Sequence, residues 1–163
     1  MEIAQSSPHI KITIKTYSGY VYALETLSQK IKDNRIQLGM IEDEPLVPHR
    51  GIMIDSARHF LKVETISRLI ESMAISKLNI LHWHLSDDES FAIQLASHPE
   101  LAEASAFRKG QFYTIEQVKQ LIDLAKKNGV SIVPEIDTPG HVRAWGLDKK
   151  WSQQNITVLC HKG

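Results

Sequence analysis

The sequence predicts an α/β fold in which a parallel sheet carries a polar site at one rim, and three observations support that reading. Apolar runs of strand length at residues 51–54, 78–84 and 130–136 alternate with two helical patterns. The runs are nearly continuous in apolar side chains, as in strands covered on both faces, which implies parallel pairing through right-handed crossovers. Each run also leads into polar residues: Asp55 after the first, Asp87, Asp88 and Glu89 after the second, Glu135, Asp137 and His141 at the third. Polar side chains at the carboxyl ends of buried strands are what active sites of α/β proteins are built from. Three strands close nothing, so the pattern describes either a small open sheet or the first part of a (β/α)8 barrel, which takes roughly 250 residues when complete.

Composition narrows the function without choosing it. The 163 residues are 42% hydrophobic and 23% charged, ordinary for a soluble globular protein able to bury a core. Nineteen basic residues balance nineteen acidic ones and no basic stripe stands out, which argues against a nucleic-acid partner. No run approaches the roughly 18 apolar residues of a membrane span, and the first residues lack the charged-then-apolar pattern of a signal peptide. A lone cysteine, Cys160, is either a reduced thiol or half of a bridge closed outside these residues. Asn155-Ile156-Thr157 is a glycosylation sequon, a triplet common by chance.

Taken in order, residues 9–15 alternate in strand fashion, with Ile10, Ile12 and Ile14 on one face. Residues 20–31 read as a helix whose stripe is Ala23, Leu24, Leu27 and Ile31. Asp33-Asn34 breaks it, residues 36–41 form a short strand, and the acidic, proline-bearing stretch from Glu42 to Pro48 is the best boundary in the chain. Beyond it, Val63, Ile66, Leu69, Ile70 and Met73 make the inner stripe of a helix between the first two sheet strands. Thr114-Ile115-Glu116-Gln117 fits a capping box, Ile115, Val118, Leu121, Ile122 and Ala125 form the buried face of that helix, and Gly129 stands where a helix stop prefers glycine. Pro134 is awkward inside a strand because it cannot donate to a ladder.

The organising strand is residues 78–84. His82 and His84 are two apart and share a side, with Trp83 on the other. All three read as packing residues, since a strand histidine is more often a satisfied core group than a ligand. By the same elementary reasoning Arg58 is a surface ion pair, Asp87 belongs to a solvated acidic loop, and Asp137 and His141 are turn residues around Pro139-Gly140. A metal-dependent hydrolase is a competing reading, and it requires His82, His84 and His141 to converge on one point.

Three longer motifs change these odds. The segments Pro48-His49-Arg50-Gly51-Ile52-Met53-Ile54-Asp55-Ser56-Ala57-Arg58-His59-Phe60, Asn79-Ile80-Leu81-His82-Trp83-His84-Leu85-Ser86-Asp87-Asp88 and Pro134-Glu135-Ile136-Asp137-Thr138-Pro139-Gly140-His141 resemble successive signatures of the β-N-acetylhexosaminidases of glycoside hydrolase family 20. Residues 22–29 resemble the helix that closes the small α+β domain preceding the barrel in that family. The resemblance implies a partial (β/α)8 TIM barrel, its first three strands with their helices, in residues 46–163, and a C-terminal remnant of the α+β domain in residues 1–45. It also implies that more chain lies beyond both ends. Arg58 matches an arginine that binds hydroxyls of the terminal sugar, and a planar five-donor guanidinium suits paired oxygens. Asp87 and His141 match an Asp-His pair that orients and tunes a catalytic glutamic acid, and Asp137 matches a further active-site aspartate of the same motif.

The implied reaction removes terminal non-reducing N-acetylhexosamine residues. The sugar's own 2-acetamido oxygen attacks the anomeric carbon while a glutamic acid protonates the leaving oxygen, with retention. It needs no metal and no cofactor, and its partner is an N-acetylhexosamine-terminated glycan or glycoconjugate. The Asp-Glu pair that performs it sits in a Gly-Gly-Asp-Glu type motif, which is absent here, so these 163 residues alone are expected to be inactive. Alone they should also be marginally stable, with open strand edges and apolar interior side chains in water. A non-catalytic sugar-binding remnant that retains Arg58 is the remaining alternative. The family is commonly lysosomal or secreted and often dimeric, and in it Cys160 is expected to pair with a residue further on.

Overall fold

A computed structural model describes residues 2–3 and 9–153. The N-terminal part contains β1 (Glu2–Ile3), β2 (Ile10–Lys11), α1 (Tyr17–Lys30), β3 (Ile31–Lys32), β4 (Arg35–Ile36) and β5 (Gly39–Met40). Then come β6 (Gly51–Asp55), α2 (Val63–Ile75), β7 (Ile80–His84), α3 (Pro99–Ser105), α4 (Ile115–Lys127) and β8 (Ser131–Glu135). A 3-10 turn, Arg143–Leu147, and α5 (Lys149–Ser152) follow. None of these helices is long and apolar enough to cross a membrane. Cys160 and the sequon at Asn155 lie outside the described residues.

The sequence expectations hold best where the hydrophobic pattern is longest. Strands β6, β7 and β8 form one parallel sheet in that order, and their rows align as Met53, His82, Val133 and as Asp55, His84, Glu135. Pro134 fits because it lies on an edge strand among the described residues. Ser131 donates its N–H to Asn79 and Glu135 accepts from Leu85, so these odd positions face β7 and the Pro134 nitrogen faces the open side. The capping box at Thr114 and Gln117 is formed in both directions. Helix α4 ends on a Schellman motif, with Gly129 at φ +69°, Gly129 N–H on Lys126 and Val130 N–H on Ala125. Helix α2 ends the same way, yet a lysine, Lys77, takes the left-handed position at φ +56°.

The N-terminal part departs from expectation. Helix α1 starts three residues earlier than its apolar stripe suggested, because the Thr16 hydroxyl accepts from Gly19 N–H. That stripe is not buried: no residue of α1 is, and Leu24 and Ile31 are exposed. The strand expected at residues 9–15 shrinks to β2, since β1 supplies register partners only for Ile10 and Lys11. The strand expected at 36–41 splits in two. Asp33 and Asn34, both at positive φ, turn β3 back on β4, while β5 pairs with β1 in another sheet.

The core lies between one face of the β6–β7–β8 sheet and helices α2 and α4. Leu81, Trp83 and Leu85 meet Ile66, Ile70 and Met73 of α2 and Leu121 and Ala125 of α4. Tyr113 completes it, its ring 4.8 Å from Trp83 and 4.9 Å from Phe60. The buried phenol donates to Leu61 C=O and burial pushes its pKa up to about 12. Ser56 Oγ accepts from Trp83 Nε1 at 2.8 Å and lies 3.0 Å from the Tyr113 hydroxyl, which ties the tip of β6 to this core. The reading of Trp83 as packing is correct.

Candidate active site

The carboxyl ends of β6, β7 and β8 and the loops that follow them bring four carboxylates, three imidazoles and one guanidinium to a single rim. Asp55 ends β6, and its Oδ1 accepts from the N–H groups of Ala57 and Arg58, both at 3.0 Å. This Asx-type turn folds Arg58 back over the sheet. Arg58 Nη1 then lies 3.0 Å from Asp55 Oδ2 and Nη2 lies 2.6 Å from Asp87 Oδ2. Half of the Arg58 side chain is exposed, while that of Asp87 is only 2% exposed.

Asp87 is held from several directions. Its N–H donates to Ser90 C=O, its Oδ1 accepts from Asp88 N–H at 2.7 Å, and Ser90 Oγ donates to Ala57 C=O at 2.6 Å. Oδ2 also lies 3.0 Å from His84 Nε2. Burial alone raises the Asp87 pKa, but hydrogen bonds from His84 and the Asp88 backbone and the charge of Arg58 outweigh it and hold the carboxyl below its ordinary value.

The third tip reaches the same place. Asp137 N–H donates to Ser86 Oγ at 2.9 Å, joining the β8 loop to the β7 loop. His141 takes a positive φ of 56°, rare for a residue with a Cβ. Its Nδ1 lies 2.6 Å from Asp137 Oδ2 and 3.9 Å from Asp87 Oδ2. The bond to Asp137 and the nearby charge of Asp87 raise the His141 pKa above its ordinary value.

All four residues singled out from the sequence, Arg58, Asp87, Asp137 and His141, therefore meet at one rim. Their pairing differs in one respect from the motif reading: the close partner of His141 is Asp137, and the imidazole closest to Asp87 is His84. Reading His84 and His82 as packing residues was incomplete. His84 Nδ1 lies 3.2 Å from Glu135 Oε1, and His82 Nε2 pairs with Glu135 Oε2. Burial disfavours the charged His84 ring, but the bonds to Asp87 and Glu135 overcome this and raise its pKa. A usable signal was present in the sequence: Asp55, His84 and Glu135 each end or nearly end an apolar run.

The metal reading does not match this geometry. Among the described residues the group able to offer three ligand atoms is His84, Glu135 and Asp137, within 4.8 Å of one another, and it includes neither His82 nor His141.

Fold and rim together define a parallel α/β protein with carboxylate, imidazole and guanidinium groups assembled at the carboxyl ends of its strands. The chain belongs to glycosyl hydrolase family 20, whose catalytic domain matches residues 47–158. It is similar to beta-hexosaminidase subunit beta of Mus musculus, 38% identical over 88% of this chain and 27% of that one. Beta-hexosaminidase A of Caenorhabditis briggsae is 41% identical over 82% of this chain and 25% of its own length. Among solved structures, the beta-N-acetylhexosaminidase from Bacteroides fragilis aligns with a TM-score of 0.72 at 35% identity, over 78% of this chain and 28% of that one. The family 20 exo beta-N-acetylglucosaminidase from Vibrio harveyi, solved in complex with N-acetylglucosamine, gives 0.71 at 38% identity, over 79% and 24%. The chain thus spans about a quarter of the length of these relatives.

Proposed function

We propose that the protein hydrolyses terminal non-reducing N-acetylhexosamine residues from glycans or glycoconjugates by the substrate-assisted retaining route. Residues 46–163 are then the first part of a (β/α)8 catalytic barrel, three strands with their helices, and residues 1–45 the end of a small α+β domain. The observation that carries this reading is the joining of Arg58, Asp87, Asp137 and His141 at the carboxyl rim of three parallel strands.

In this reading Arg58 presents its exposed N–H groups to neighbouring sugar hydroxyls, and Asp55 and Asp87 set its angle. The Asp87 and His141 charges act on a glutamic acid that protonates the leaving oxygen, and Asp137 fixes the His141 ring by taking its Nδ1 proton in a hydrogen bond. The bond between the anomeric carbon and the leaving oxygen breaks as the acetamido oxygen bonds to that carbon, and water later opens the cyclic intermediate. The glutamic acid and the aspartate that orients the acetamido group are supplied by other parts of the barrel. After His141 the sequence holds a single acidic residue, Asp148, and its carboxylate caps α5.

The test compares the natural protein carrying this sequence with the 163-residue polypeptide on a nitrophenyl N-acetylglucosaminide. The natural protein should release nitrophenol and the polypeptide alone should not. Release by the polypeptide at an enzymatic rate would refute the division of labour, and no release by the natural protein would refute the function.

A further inference from the structure

His84 and Glu135 have no part in the reaction as set out above, yet each is paired on two sides at the rim. His84 is 4% exposed and stands on β7 between two carboxylates, with Nε2 3.0 Å from Asp87 and Nδ1 3.2 Å from Glu135. A neutral imidazole has one N–H and one lone pair. Placed here, it would satisfy one carboxylate and turn its lone pair on the other. The imidazolium donates to both. Glu135 is gripped from its far side by His82 Nε2, so a continuous line of alternating partners runs His82, Glu135, His84, Asp87, Arg58, Asp55.

We propose that His84 is a positioning residue that works as an imidazolium bridge, clamping the buried Asp87 carboxylate between Glu135 and Arg58 so that it stays ionised and aimed at the reaction centre. This rests on the proposed role of Asp87. The bridge explains how a carboxylate with 2% exposure carries its charge with Arg58 and His141, both half exposed, offsetting it from the open side. The groups around His84 favour the cation: Asp55 on β6, Asp87 on the β7 loop, Glu135 on β8 and Asp137 just beyond oppose Arg58, His82 and His141. Changing Glu135 to Gln removes one negative charge from the bridge without touching Asp87. It therefore separates a charge relay from a packing role.

The experiment uses the natural protein, isotope-labelled on histidine, with a nitrophenyl N-acetylglucosaminide as substrate. Nitrogen NMR of the wild type should show both His84 ring nitrogens protonated at about pH 7, above the ordinary value of 6.5. H84Q should lower kcat/KM about 100-fold, the scale of a misplaced catalytic constellation. E135Q should move the alkaline limb of the kcat/KM profile to lower pH by about one unit, since an imidazolium with one carboxylate partner gives up its proton sooner. A wild-type His84 with one protonated nitrogen at that pH overturns the bridge, and so does an E135Q profile lowered at every pH but unshifted. If H84Q does not fold, the E135Q profile and the wild-type spectrum still decide. A natural protein that leaves the substrate uncleaved defeats the proposed function, while the wild-type spectrum continues to judge His84 on its own.

Discussion

The two faces of the β6–β7–β8 sheet are made by the same strands and have opposite character. On the helix side Leu81, Trp83 and Leu85 are almost wholly buried against α2 and α4. On the other side Met53 is 57% exposed and Val133 45% exposed, and the neighbouring positions are His82, His84 and Glu135. One face is held by apolar area removed from water, the other by charge-assisted hydrogen bonds among groups that apolar packing could not hold. Stability and chemistry are thereby separated by a single residue's step along each strand.

The comparison is broken most directly at Trp83. W83A removes a fully buried ring, its edge contact with Tyr113 and its bond to Ser56, and should cost about 3–5 kcal/mol by urea unfolding. A loss below about 1 kcal/mol would mean the helix side is not the stabilising face. On the polar side D87N leaves Arg58 and His84 without their shared carboxylate and should cost about 2 kcal/mol at neutral pH. A wild-type melting temperature equal to that of D87N would show the network contributes nothing to folding.

The pH dependence sharpens the same contrast, because His84 and Asp87, whose ordinary values lie between acid and neutral pH, both belong to the polar side. The raised pKa of His84 adds stability that is complete below the ordinary 6.5 and fades as pH climbs through the higher folded value. The lowered pKa of Asp87 adds stability that is complete above the ordinary 3.8 and fades as pH falls through the lower folded value. Melting temperature should therefore be highest between those two ordinary values and decline on both sides, and W83A should keep that shape at a lower level. A wild-type profile flat from acid to alkaline would contradict the assignment.

Smaller effects probe what surrounds the sheet. T114A removes one arm of the capping box on α4 and should cost about 1 kcal/mol in the same unfolding assay. M53A, on the open face, should cost less than about 0.5 kcal/mol in the 163-residue polypeptide. In the natural protein the same change should cost about 2 kcal/mol or more if a closed barrel buries that methionine. Equal costs in both would count against the partial-barrel reading.

Much of this arrangement was legible in advance, and the limits have physical causes. The long strands and α2 and α4 announced themselves because each buries a continuous stripe, so pattern and packing agree. Helix α1 and the two-residue strands were misjudged in extent because they bury little, and turn geometry at Thr16 and Asp33-Asn34 sets their ends instead. The motifs named Arg58, Asp87, Asp137 and His141. They did not show that His141 turns first to Asp137. His84 was missed because alternation shows that His82 and His84 share a side without telling which side the helices cover.

The amino-acid order by itself determined the parallel α/β class, the capping of α4, the family and the four rim residues, because these follow from local periodicity, local hydrogen bonding and contiguous motifs. Only the tertiary structure decided which partners those residues take. The strand register sets Asp55, His84 and Glu135 in one row, and hydrogen bonds reach no further than about 3 Å, so a network across three strands exists only once their relative depth is fixed.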